Sequence, residues 1–402
     1  MRLVMGGESL EGPLTGIGQY TYHLAKGMLA SPDIEDFKFL AHGRLRDPSA
    51  LMAGGGSADS EVTENQKPSR LNAALGLVRA IYAQNEAAIA LYKRLIPRLE
   101  RHSLRHYGPT DVYHSPNYML PEFPGKTVVS ILDLSTYRYP EHHPETRVRF
   151  VNQHIEKAIK HADHIITISN LVKTEIVERF GYPEDRITVT YLGADDAFRP
   201  LSENEFLKES QSLNLAYKGY FLFVSSIEPR KNLDRLLDAY LAYRSNCTTE
   251  PLPFIVTGIP GWKSQDLHAR LNHLEARSDV HYLGYVDQSL LPTLMAGARA
   301  LLYPSLYEGF GLPMLEAMQS GTAVITSQET AMAEIGGDAM RQVDPQNTGA
   351  MAEAIANLAN DVEAAHSLSH KGIEQAKQFS WQRCAEQTLA AYHATAHRES
   401  IN

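Results

Sequence analysis

Tyr303-Pro-Ser-Leu-Tyr-Glu-Gly-Phe-Gly-Leu-Pro-Met-Leu-Glu-Ala-Met-Gln-Ser-Gly321 says more about this chain than any other stretch. The apolar run Ala300–Tyr303 that leads into it reads as a buried strand. Leu315, Ala317 and Met318 follow with helical spacing. Between them lies the turn Gly309-Phe310-Gly311. Strand, glycine loop and helix start make an anion site: the first helical N–H groups have no acceptor of their own, and glycine lets a phosphate approach the backbone. Glu308 falls on the loop and Glu316 about one turn into the helix, so both are expected to face one pocket. Glu316 is placed for a ligand hydroxyl near the phosphate and Glu308 for a sugar deeper in. A glycine turn with nothing bound, and a Glu316 that merely complements the helix dipole, fit the spacing as well.

Working outward, the same alternation recurs along the 402 residues, enough for two domains. The first series starts with the strand Leu3–Met5, a glycine-rich loop and a helix from Tyr20. It continues with strands 37–41, 111–114, 126–132 and 164–168 and ends with 186–190. Residues 43–69, with Gly54-Gly-Gly56, read as an insertion, and 71–106 as a helix kinked at Pro97. The polar stretch 195–218 reads as a linker. The second series runs from Tyr220–Val224 through 253–257, 280–283 and 300–303 to 323–326. Strands alternating with helices imply parallel sheets, hence two Rossmann-like doubly wound α/β domains facing a central cleft, 1–200 and 201–380.

Bulk properties narrow the function. A formal net charge of −9 argues against nucleic acid as a partner. The two cysteines, Cys247 and Cys384, form no CxxC pair, so neither a disulfide framework nor a zinc site is expected. No signal peptide and no run of 18 apolar residues is seen, and a cytoplasmic location is expected. Arg230-Lys231, after the strand Phe221–Val224, is an adjacent cation pair suited to a diphosphate, or else a solvated loop cap. Asp133 ends another strand and suits a sugar hydroxyl. His114 is a candidate polar group near an acceptor, and His142 and His143 are expected to be solvated.

Glu308 and Glu316 with the internal Gly-Phe-Gly-Leu-Pro resemble the signature of the retaining family 4 glycosyltransferases of GT-B fold. Thr15-Gly-Ile-Gly-Gln-Tyr20, Val128-Val-Ser-Ile-Leu-Asp-Leu-Ser135, Ile168-Ser-Asn-Leu171, Glu228-Pro-Arg-Lys-Asn232 and Gly284-Tyr-Val-Asp287 resemble that family's other landmarks, in the family's order. Together they span almost the whole chain. The Glu-Pro-Arg-Lys-Asn form resembles bacterial mannosyltransferases of surface-polysaccharide pathways. The resemblance implies Glu308, Lys231, Arg230 and Asp133 as catalytic residues. It implies donor binding by Gly16, Gly18, Ser226, Tyr285, Val286, Gly309, Phe310, Gly311, Leu312 and Glu316. Glu316 would hold the ribose, Tyr285 and Val286 the base, and the glycine loops the donor phosphate. It also implies that the final helix, 381–402, returns to the first domain. Two positions depart from the pattern. Ser226 stands where the family usually has an arginine, a duty Arg230 would assume. Leu132 stands where many members have a histidine that touches the donor sugar.

The implied reaction is transfer of a hexose, with mannose from GDP-mannose favoured, to a saccharide or polyprenyl-diphosphate-linked saccharide. The donor is a substrate, and no metal or other cofactor is expected. A UDP-sugar enzyme, an inactive nucleotide-sugar-binding relative and a Rossmann dehydrogenase or epimerase are the alternatives. The last would need Gly-x-Gly-x-x-Gly right after the first strand, which Gly6–Gly18 does not provide. The basic, amphipathic segment 67–107 suits either an anionic membrane surface or the outside of an ordinary helix, so peripheral attachment at the inner face of the cell membrane is open.

Overall fold

The computed structural model describes residues 1–12, 15–53, 86–211, 213–276 and 279–398, with only the backbone given for 86–94. It holds two parallel-sheet α/β assemblies. The first sheet contains β1 (Arg2–Gly6), β2 (Asp36–Ala41), β3 (Arg44–Arg46), β4 (Val112–Ser115), β5 (Lys126–Ser130), β6 (His164–Thr167) and β7 (Ile187–Val189), in the order β3-β2-β1-β4-β5-β6-β7. β1 pairs in parallel with both β2 and β4, and β4 with β5. Leu3, Val4, Met5, Val112, Val128 and Val129 are wholly buried, as central parallel strands covered on both faces require.

The second sheet contains β8 (Phe221–Val224), β9 (Phe254–Thr257), β10 (Val280–Gly284), β11 (Ala300–Tyr303), β12 (Ala323–Ser327) and β13 (Arg341–Val343). Its order is β10-β9-β8-β11-β12-β13, parallel throughout. The chain walks outward from β8 to β10, returns to the centre at β11 and walks out the other way. β8 and β11 therefore flank the point where strand order reverses, which is where open α/β sheets bind ligands.

Two compact units emerge. One comprises Met1–Ser130, His154–Ile165 and Thr388–Asn402, and the other Ile131–Gln153 and Ile166–Gln387. The helix Trp381–Ala396 thus ends in the first unit. There His114 donates and accepts entirely within the core. Its Nδ1 lies 2.5 Å from the Tyr392 hydroxyl and its Nε2 2.8 Å from Ser130 Oγ, which also meets the Tyr20 hydroxyl at 2.7 Å. Burial pushes this imidazole down to about 3. Both ring nitrogens are engaged, which corrects the expectation that His114 serves an acceptor.

Several elements differ from the sequence reading. The insertion expected at 43–69 opens as ordered structure: His42 and Gly43, with φ of 50° and 75°, form a two-residue hairpin turn into the antiparallel β3. The helix Pro48–Met52 follows, capped by the Asp47 carboxylate on the Ser49 amide. Residues 54–85 lie outside the described residues, so the expected helix can be followed only over Glu86–Leu104. It runs through Pro97. The expected linker at 195–218 contains the helix Glu203–Glu209, started by a capping box between Ser202 and Glu205 and anchored by the buried Phe206. Among the described residues no helix is long and apolar enough to cross a membrane.

Candidate active site

The loops leaving β8 and β11 meet at the reversal of strand order. After β8, Glu228 precedes a single 3-10 turn, Pro229–Lys231, and Asn232 adopts a left-handed conformation (φ 61°) before the helix Leu233–Ser245. The Asn232 side chain fixes that bend by donating to the Pro304 carbonyl at 3.0 Å and the Pro345 carbonyl at 2.7 Å. The Leu306 amide donates to the Arg230 carbonyl at 2.9 Å, so the two loops are stitched backbone to backbone.

This arrangement brings Arg230, Lys231 and Glu308 together. Lys231 Nζ donates to Glu308 Oε1 at 2.5 Å and to the Tyr303 hydroxyl at 3.0 Å, and that hydroxyl donates on to Glu308 at 3.0 Å. Arg230 Nη1 lies 3.1 Å from Glu308 Oε2 and donates to the Tyr307 carbonyl at 2.5 Å, while Nη2 donates to Glu228 Oε1 at 2.6 Å. Glu308 and Arg230 are 8% exposed, Lys231 7% and Glu228 1%. Burial alone would raise the Glu308 carboxyl, but Lys231 and Arg230 outweigh it and hold the group down at about 2. Burial pulls the Lys231 ammonium down, yet Glu308 carries it above its ordinary value. Two carboxylates thus balance two cations. Glu228 Oε2 and Arg230 Nε are buried without hydrogen-bond partners among the described residues. Such groups are costly to leave unpaired and are the free valences of the cluster.

Glu316 has a different setting. It lies in the helix Leu312–Gln319 and is half-buried. Burial, with the Asp195 charge adding to it, raises its carboxyl to about 8. The two glutamates of the opening motif therefore divide into a low, cation-paired carboxylate and a raised one.

The glycine loop is shaped by close approach. A Cβ on Gly309 would stand 1.9 Å from the Leu132 carbonyl oxygen, and one on Gly311 (φ 97°) 2.7 Å from Met332 Cγ. The Phe310 ring is 2% exposed and packs against Tyr191 and Phe379, so the side chain is an anchor while the backbone turns. Leu312 opens the helix. Asp133 accepts from the Ser135 amide at 2.9 Å, and the Leu134 amide donates to the Tyr307 hydroxyl at 3.1 Å. Ser226 is half-buried beyond β8. Gly258 (φ 146°) presses on that segment, since a Cβ there would stand 1.6 Å from the Ser225 carbonyl oxygen. Tyr285, 58% exposed, and Val286 follow β10, two strands from β8. Gly16 and Gly18 belong to the other unit, in the first turn of the helix Gly16–Ala30. A Cβ on Gly16 would meet open space.

His143 departs most from expectation. It was expected to be solvated but is 2% exposed, with its ring centre 5.4 Å from that of Trp262. Neither ring nitrogen has a hydrogen-bond partner among the described residues. Burial first, then the Arg230 charge, lowers this imidazole to about 4. Its burial was not legible because the Trp262 indole that covers it is 119 residues away in sequence. Among the described residues no group of three or more His, Cys, Asp or Glu side chains could hold a metal ion.

Comparison with known proteins assigns the chain. Residues 56–198 match the family model "Glycosyltransferase Family 4", and 206–375 match "Glycosyl transferases group 1". The chain is 34% identical over 392 residues to O-antigen chain mannosyltransferase B of Escherichia coli, covering 98% of this chain and 99% of that one. Sucrose-phosphate synthase from Thermosynechococcus elongatus superposes with a TM-score of 0.70 at 19% identity, covering 98% and 99% of the two chains. Anabaena HepE, solved with UDP and glucose, gives 0.64 at 17% identity, covering 97% and 98%. A buried cation–carboxylate cluster beside a glycine-flanked helix start, in a chain with these likenesses, leads to one conclusion: the chain belongs to the family 4 glycosyltransferases and is a glycosyltransferase of GT-B fold.

Proposed function

We propose that the chain transfers mannose from GDP-mannose, with retention at the anomeric carbon, to a saccharide or polyprenyl-diphosphate-linked saccharide during assembly of a surface polysaccharide. What carries this reading is the Arg230–Lys231–Glu308 cluster at the strand reversal, in a chain 34% identical over nearly its full length to a protein named as an O-antigen chain mannosyltransferase. The Glu-Pro-Arg-Lys-Asn form of the β8 loop supports the same branch.

On this reading the donor diphosphate lies against the helix start at Leu312 and the free Arg230 Nε. Glu316 takes the ribose hydroxyls, and Tyr285 and Val286 flank the base. The acceptor oxygen attacks the anomeric carbon on the face the diphosphate leaves. The bond from that carbon to the phosphate oxygen breaks, and the acceptor's proton passes to the leaving phosphate. Glu308 acts through the cations, holding Lys231 and Arg230 charged and aimed where negative charge grows. The cations and loop amides supply that stabilisation, so the reading includes no metal cofactor. It also keeps a cytoplasmic site of action and an anionic membrane surface for segment 67–107. Of that segment, residues 67–85 lie outside the described residues, while Leu95, Leu99 and Arg101 on its helix are exposed.

Thermal shift with nucleoside diphosphates tests the donor. GDP raises the melting temperature more than UDP does, as preferential binding to the folded state requires. Equal shifts, or a larger one with UDP, overturn GDP-mannose. Turnover of GDP-mannose that is lost in Lys231→Ala supports the reaction.

A further inference from the structure

We propose that His143 hydrogen-bonds a hydroxyl of the sugar being transferred, and so selects the donor by its sugar rather than by its nucleotide. The inference rests on the reading that the Arg230–Lys231–Glu308 cluster handles a nucleotide sugar.

Four observations carry it. First, the imidazole is buried with both nitrogens unpaired among the described residues, unlike His114, whose two nitrogens are both satisfied. An unmet buried donor and acceptor are retained against a cost of about 1–3 kcal/mol per group. Second, the ring is held in place. The Trp262 indole donates to the His142 carbonyl at 2.8 Å, Lys263 Nζ donates to the Glu141 carbonyl at 2.6 Å, and Arg147 lies over the Trp262 ring at 4.7 Å. Third, the loop that covers it packs on the cluster's loop. A Cβ on Gly261 would stand 2.7 Å from the Ile227 carbonyl oxygen and 3.2 Å from Glu228 Cβ, which seats the Trp262 loop on the β8 loop. The charges of Arg230 and Asp133 both reach the imidazole. Fourth, its chemistry suits a sugar. With its pKa at about 4 the ring is neutral at pH 7, one nitrogen donating and the other accepting. A hydroxyl both donates and accepts, whereas a phosphate or a carboxylate only accepts.

The test uses the full-length protein with His143→Phe, which keeps a ring of similar size and removes both polar nitrogens, and His143→Gln, which keeps a donor and an acceptor. The probes are GDP, GDP-mannose and a set of monodeoxy GDP-mannose analogues. If wild type turns over a UDP-hexose instead, the corresponding UDP set replaces them. The expected result is a fall in kcat/KM of about 10- to 100-fold in His143→Phe, the loss of one or two hydrogen bonds, with GDP affinity unchanged and partial recovery in His143→Gln. One monodeoxy donor should be penalised in wild type and no longer penalised in His143→Phe. The proposal is overturned if His143→Phe keeps kcat/KM within about twofold, if GDP affinity and melting temperature fall in step with activity, or if every deoxy penalty persists in the variant. A wild-type protein that uses a UDP-hexose sinks the GDP-mannose reading alone. One that turns over no nucleotide sugar sinks both.

Discussion

Lys231 Nζ and Glu308 Oε1, 77 residues apart in the chain, sit 2.5 Å from each other with both side chains almost wholly removed from water. A pair so buried is stable only as a pair, because removing one partner strands the other charge in a poor solvent. Glu308→Gln should therefore destabilise the fold by about 3–5 kcal/mol and lower kcat by about 100-fold or more, as loss of a charge-stabilising group does. Lys231→Met combined with Glu308→Gln should regain much of the stability and none of the activity. Urea denaturation and turnover assays read the two effects separately. A double variant as unstable as the sum of its parts would refute the coupling.

The two glutamates of the glycine-loop motif should leave opposite marks on pH dependence. The folded Glu308 carboxyl lies at about 2 against an ordinary 4.5, so its contribution is present above 4.5 and fades as pH falls toward 2. The folded Glu316 carboxyl lies at about 8, so its contribution is full below 4.5 and is lost as pH rises toward 8. Glu316→Gln should thus flatten the decline in melting temperature between pH 5 and pH 8, while acid unfolding stays as in wild type. Differential scanning fluorimetry across pH checks this, and an unchanged alkaline slope would refute it.

Gly309→Ala should be far worse than an ordinary loop substitution, because the added methyl falls 1.9 Å from a backbone oxygen, that of Leu132. Backbone must move, and the Asp133 segment moves with it. Activity should drop by at least about tenfold, given how steeply rate depends on positions held within an ångström. Gly311→Ala forces an L residue to φ 97° and should cost stability of about 1–2 kcal/mol. Melting temperature and kcat measured together distinguish the two variants.

His114→Phe should lower stability by about 1–3 kcal/mol by removing the imidazole's hydrogen bonds to the Tyr392 hydroxyl and to Ser130 Oγ, the latter keeping its contact with the Tyr20 hydroxyl. It should leave kcat/KM unchanged in the protein that remains folded. A kinetic defect without a stability defect would return His114 to the acceptor role that the sequence suggested.

The fold was legible where one local signal sufficed. The strand at Ala300–Tyr303, the glycine turn and the helix at Leu312 are all announced by nearby residues, and alternation of such units implies parallel sheets. Capping boxes are equally local, so Ser202-x-x-Glu205 could have revealed the helix within the supposed linker. His42-Gly43 could likewise have signalled the hairpin. The helices Ala331–Gly336 and Thr348–Asn360 carry apolar faces, Met332 and Ile335 in one and Met351, Ile355 and Leu358 in the other, that could have revealed them too. The partnerships of the site were the least legible part. The Arg-Lys pair and Glu308 could each be singled out, but their contact depends on β8 and β11 being neighbours, a property of the whole sheet. The burial of His143 likewise needs a tryptophan from a distant loop.

The walk of the second sheet has a further consequence. Both ends of the ion cluster hang from the two central strands, and the chain between them builds the outer strands β9 and β10, their coverings and the Trp262 loop. The rim touches the β8 loop at Gly258 and Gly261, while the adjacency of β8 and β11 that brings the cations to Glu308 does not involve β9 or β10. Periphery and centre of one sheet thus divide the work, the centre joining opposite charges and the edges carrying the loops that meet it.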